Sequence, residues 1–116
     1  MAISEFEIKR CEQLVQKYLD ARRPPAHIRP ELDLGYRINR QSVEMFEIRP
    51  VWKGQPGEKM ELPLAKATYV KSKAVWRVYW QRADLKWHRY EPNSEVKSLE
   101  DFLAVVEKDE YGCFYG

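Results

Sequence analysis

The chain is poor in the residue types that announce chemistry. Its two cysteines, Cys11 and Cys113, are too few for a disulfide framework and read as reduced thiols in a cytoplasmic protein. Its two histidines, His27 and His88, do not help: no pair among these four residues has the short spacing of a zinc site, so neither metal nor cofactor is expected. Five glycines are scattered, and none belongs to a phosphate-cradling loop. The five serines, Ser4, Ser42, Ser72, Ser94 and Ser98, fall at caps, turns or loops, and none stands in Gly-x-Ser-x-Gly. No apolar run approaches the ~18 residues a membrane span needs. The opening Met-Ala-Ile-Ser-Glu-Phe-Glu lacks the basic-then-apolar order of a secretion signal, so no membrane partner is expected. A net charge of +2 is too small to argue for any partner from the total.

What is present is the composition of one globular domain spanning residues 1–116, with 44% hydrophobic and 33% charged residues. Charge and aromatic rings are unevenly placed within it. Residues 61–91 carry seven Lys/Arg against three acids, together with Tyr69, Trp76, Tyr79, Trp80, Trp87 and Tyr90. Residues 92–116 carry two basic residues against six acids. A basic, aromatic middle therefore precedes an acidic end.

The first segment reads as a helix over residues 4–22. Ser4 is a good N-cap, Glu7 stands at the capping-box position, and Ile3 and Ile8 flank the cap as a hydrophobic staple. Ile8, Cys11, Leu14, Val15, Tyr18 and Leu19 form an apolar stripe at helical spacing. Arg22 and Arg23 suit the end of the helix dipole, and Pro24-Pro25 cannot continue the helix. Leu32, Leu34, Tyr36 and Ile38 then alternate with polar residues, as in a half-buried strand. A hairpin follows into Val43–Ile48, where apolar residues on both parities predict a bulge or burial on both faces. Arg49-Pro50 is expected to end the pairing, and residues 53–61 to form an exposed loop.

Three further strands are predicted: Leu64–Lys71, Ala74–Arg82 and Lys86–Glu91. Two-residue turns are assumed at Ser72-Lys73 and Asp84-Leu85, although Leu85 stands where such a turn prefers glycine. Counting from those turns puts Ala65, Ala67, Tyr69, Trp76, Val78, Trp80 and Trp87 on a core face. Lys66, Thr68, Arg77, Tyr79, Gln81, Lys86, His88 and Tyr90 then fall on the opposite face. Across the second hairpin Arg82 should stack on Trp87 and Arg89 on Trp80. A last helix begins at Ser98 with the stripe Leu99, Phe102, Leu103 and Val106, closing in Asp109 and Glu110, the wrong sign for its dipole. Gly112 should release an apolar tail onto the core. The fold class is α+β: N-terminal helix, five-stranded antiparallel meander and C-terminal helix, with both helices on one face.

The run Trp76-Arg77-Val78-Tyr79-Trp80-Gln81-Arg82-Ala83-Asp84-Leu85-Lys86-Trp87-His88-Arg89-Tyr90 is distinctive. With Phe46-Glu47-Ile48-Arg49-Pro50 and the tail Tyr111-Gly112-Cys113-Phe114-Tyr115-Gly116, it resembles the bacterial domain-of-unknown-function family numbered three thousand and twenty-four. The likeness covers essentially the whole chain and implies a small stand-alone bacterial protein. It carries no activity, cofactor or catalytic residue with it. Asp84-Leu85 departs from the Asp-Gly expected at the second turn.

Two functional readings follow. Glu47, Arg49, Asp84 and His88 would suit an enzyme acting on an anionic substrate, but a cross-strand charge pair and a turn aspartate explain the same residues, and none is assigned as catalytic. The stronger candidate is the open face. Lys66, Arg77 and Lys86 would meet phosphates, while Tyr79, His88 and Tyr90 would stack bases of single-stranded RNA or DNA. The same face, centred on Leu64, Val70, Val75, Tyr79 and Tyr90, would alternatively bind a protein partner or a second copy.

Overall fold

The computed structural model describes residues 4–51 and 53–115, and the staple residue Ile3 lies outside them. Helix α1 spans Glu5–Arg22. Ser4 caps it as expected, its side chain accepting a hydrogen bond from the Glu7 N–H at 3.2 Å. Cys11, Val15 and Leu19 are the buried part of the stripe. Arg23 closes the helix in extended conformation ahead of Pro24. Its guanidinium then donates twice to the Asp33 carboxylate, at 2.7 Å each, tying the helix end to the first strand.

That strand, β1, is Asp33–Asn39 and pairs antiparallel with β2, Ser42–Pro50. Strand β3, Lys59–Val70, pairs with β2 along almost its whole length. Lys59, Met60 and Glu61 therefore belong to a strand, not to the expected loop, because Ile48, Arg49 and Pro50 find their partners there. Pairing runs through Pro50, which is tolerated as the last residue of its strand. Of the two alternatives for β2, the structure has burial on both faces. The register does shift between Met45, which faces Ala65, and Phe46, which faces Pro63, but the extra residue is Leu64 on β3 and β2 itself carries none. Neighbours Met45 and Phe46 point to opposite faces, and both are buried. The Phe46 ring lies against Gly35, where any added Cβ would come within 2.8 Å of it. The Arg37 guanidinium lies over the same ring, 4.6 Å from its centre.

Strand β4, Val75–Gln81, pairs with β3 so that Tyr69 faces Trp76 and Lys66 faces Tyr79, the register a two-residue turn would give. The ladder stops at Val70–Val75, so the connection itself is longer. Strand β5 is only Trp87–Arg89, and here the expected register fails. Gln81 faces Trp87, Trp80 faces His88 and Tyr79 faces Arg89, one residue away from the two-residue count. The turn holds three residues, with Leu85 in the left-handed region at φ 63°. Arg82 O accepts from Leu85 N–H at 2.8 Å, and Arg82 N–H donates to Lys86 O at 3.2 Å. This is the three-residue hairpin whose last position is left-handed, and Leu85 occupies it in place of glycine. Because strand side chains alternate, the single-residue change turns all of β5 over.

After β5 the chain leaves the edge of β4 for a 3-10 turn, Glu91–Asn93, then returns as β6, Glu95–Val96, which pairs with Trp76 and Arg77. The expected meander is thus order β1-β2-β3-β4-β5, with β6 added on the same edge of β4. Helix α2, Leu99–Lys108, is capped by Ser98, which accepts from the Asp101 N–H at 3.1 Å. Buried residues of α1 and of α2 join Val43, Met45, Ala65, Ala67, Trp76 and Val78 in one core cluster.

The acidic helix end has a structural reason. Asp109 takes the left-handed cap position, φ 40°, and its carboxylate accepts from the N–H groups of Phe114 and Tyr115 at 3.0 and 2.8 Å. The tail folds back as expected, burying Phe114 against Tyr90 with ring centroids 4.8 Å apart. Tyr115 and Tyr18 hydroxyls meet at 2.8 Å, and the Arg22 guanidinium lies over the Tyr115 ring at 4.4 Å.

Candidate functional site

Turning β5 over rearranges the expected site. Lys66, Arg77 and Tyr79 share one sheet face as counted, since Lys66 faces Tyr79 and Thr68 faces Arg77. Tyr90 does not join them. It is 1% exposed in the core, and burial pushes its phenol above the ordinary value. His88 faces Trp80, on the core-side parity, and bonds Asp84 Oδ2 at 2.8 Å. Lys86 stands beside the turn opposite Arg82 on that same parity, where its N–H donates to Asp84 Oδ1 at 2.9 Å. The Lys86 N–H first and His88 second hold the Asp84 carboxyl below the usual range.

In their place the fold delivers Trp87 and Arg89. Trp87 is half-buried, not a core residue, and the Lys66 ammonium lies over its indole, 5.7 Å from the ring centre. The same ammonium is 5.8 Å from the centre of the Tyr79 ring. Among the described residues Lys66 has no carboxylate within ion-pair distance. The expected stacking partners change accordingly: Arg82 lies over Trp80 at 5.6 Å, and Arg89 reaches Glu95 at 3.6 Å. The sequence held one signal of this, a leucine where a two-residue turn wants glycine.

Next to this group lies a carboxylate shared by three cations. Glu95 Oε2 is 3.5 Å from Arg77 Nε, 3.6 Å from Arg89 Nη2 and 3.9 Å from Lys73 Nζ. Toward β1 the face changes sign, because Arg37 is claimed by both Glu44 and Glu61. The cationic, aromatic part is therefore confined to β3, β4 and the β5–β6 edge.

The enzyme candidates separate into two pairs. Glu47 and Arg49 bond each other at 3.1 Å within β2, Asp84 and His88 pair at the β4–β5 turn, and no hydrogen bond or ion pair among the described residues joins the two. The described residues contain no group of three His, Cys, Asp or Glu able to hold a metal. Cys11 and Cys113 are free, and burial raises both thiols, with Asp109 adding to the rise at Cys113. No helix among the described residues is long and apolar enough to cross a membrane.

Fold and face together define a small α+β protein that displays cations and aromatic rings on one part of its sheet. The chain belongs to the family described as domain of unknown function DUF3024, whose family model matches residues 3–116. No curated protein and no solved structure matches it.

Proposed function

We propose that this chain is a single-domain, non-enzymatic binding module whose Lys66–Tyr79–Trp87 face holds single-stranded nucleic acid, with little sequence preference. The observation that carries the reading is the Lys66 ammonium over two aromatic rings, 5.8 Å from the centre of Tyr79 and 5.7 Å from that of Trp87, with no carboxylate within ion-pair distance among the described residues. A phosphate has a cation to meet, and flanking bases have π-faces to stack on. Arg77, Arg89 and Lys73, less the charge of Glu95, extend the positive strip along the sheet edge. Strands ~4.8 Å apart set these cations on about the scale of successive backbone phosphates. A cytoplasmic setting, where Cys11 and Cys113 stay reduced, belongs to the same reading.

The test is fluorescence anisotropy of labelled 12-mer oligo-deoxythymidine and oligo-uridine, with light-scattering mass in parallel. Lys66 supplies one net charge and the Glu95 group two, so about three phosphates are neutralised and log affinity should fall with log salt at a slope of about −2. Trp87→Ala should weaken binding by about the 1–3 kcal/mol that one stacked base contributes. Absence of binding at ~50 mM salt overturns the reading. A two-fold dimer burying the half-buried Val70–Val75 pair would transfer the face to protein recognition. Tyr90, lying in the core, cannot serve either purpose.

A further inference from the structure

Three cations converge on a single oxygen, Glu95 Oε2, and none of them reaches it at hydrogen-bonding distance: the separations are 3.5, 3.6 and 3.9 Å. One donor in the group is idle. Arg77 Nε is shielded from solvent and has no hydrogen-bond acceptor among the described residues. The group keeps a net charge of +2 on the face that also carries Lys66. Glu95 itself stands on a strand of only two residues, held at the edge of β4 beside the excursion at Glu91–Asn93.

Resting on the nucleic-acid reading above, we infer that Glu95 occupies, from within the chain, the position of a backbone phosphate, and that a bound strand displaces it. A phosphate oxygen at this point would offer the Arg77, Arg89 and Lys73 donors the same charge as the carboxylate. Its further oxygens would reach Arg77 Nε, which Glu95 leaves without a hydrogen bond. Glu95 thus acts as an internal competitor that weakens the site and keeps it from holding small anions. The arrangement favours ligands that supply several linked phosphates, because only these bring enough contacts to offset loss of the internal ion pairs.

The experiment compares the unaltered protein with Glu95→Gln and Glu100→Gln, using labelled oligo-deoxythymidine as probe. Glu100 pairs with Arg10 on α1, so its substitution makes the same change in net charge away from this face. Glu95→Gln should tighten binding about fivefold at low salt and steepen the log–log salt slope by about 0.7, one further phosphate. Glu100→Gln should change the slope hardly at all. Equal effects of the two substitutions, or no effect of Glu95→Gln, overturn the inference while leaving the binding reading intact. If the unaltered protein does not bind the probe, the reading itself fails and this inference with it. A second measurement needs no variant: in the NMR spectrum of the unaltered protein, the Arg77 and Arg89 Nε–H signals should shift as oligonucleotide is added. If both stay fixed while the probe binds, the phosphate goes elsewhere and the inference fails.

Discussion

The register of β5 can be tested by a pair of truncations whose order reverses if it is wrong. Tyr90 is 1% exposed and packs its ring against that of Phe114 at a tilt of 47°, whereas Trp87 is half-buried on the opposite face. Removing a fully buried large aromatic side chain costs ~3–5 kcal/mol in lost burial and residual cavity. At about 2.1 cal/mol/K per residue, 116 residues have an unfolding entropy of about 0.24 kcal/mol/K. Tyr90→Ala should therefore lower Tm by about 12–20 °C. Trp87→Ala surrenders only part of its area to water and should cost ~1–2 kcal/mol, or about 4–8 °C. Thermal unfolding followed by far-UV circular dichroism, with urea titration as a check on cooperativity, reads both. In the two-residue register Tyr90 would lie on the Lys66–Tyr79 face and Trp87 in the core. A larger loss for Trp87→Ala than for Tyr90→Ala would refute the register, and with it the Lys66–Tyr79–Trp87 cluster.

Two further outcomes are expected. Asp109→Ala removes the acceptor for the Phe114 and Tyr115 N–H groups, so it should destabilise the chain by ~1–2 kcal/mol and speed amide exchange at both residues; unchanged exchange would mean that packing of Phe114 alone holds the tail. Asp33 is held below the ordinary carboxyl range chiefly by its paired bonds from Arg23, so its stabilising effect is complete above the ordinary aspartate value and is lost as pH falls toward and through the depressed one. Asp33→Asn should therefore be less stable than the unaltered protein near neutral pH, with the gap closing in that acid window, and a gap independent of pH in urea titrations would contradict the pairing.

Local sequence is decisive in this chain where one residue determines one contact. Ser4 and Ser98 cap helices because a hydroxyl next to an exposed N–H has little competition, and the helical stripes of α1 and α2 became their buried faces. The order of the sheet follows from short connections between alternating segments, and the double parity of Val43–Ile48 corresponds to burial on both faces of β2, whereas the extra residue Leu64 on β3 left no mark in that pattern. Asp109 looked misplaced from sequence because its partners are N–H groups that return only when the tail folds back.

The face of β5 lay beyond local reading. Periodicity says that Trp87 and His88 point opposite ways, but not which way either points; that depends on whether the preceding turn holds two residues or three. The choice belongs to the whole structure. Tyr90 finds Phe114 in the three-residue register, and the strain of a left-handed Leu85 is outweighed by that buried contact. Lys66, Arg77 and Tyr79 could be grouped from sequence because the β3–β4 register is set by a long ladder. Trp87, Arg89 and the Glu95 cluster could not, because β5 and β6 are three and two residues long, and their placement comes from the core beneath them.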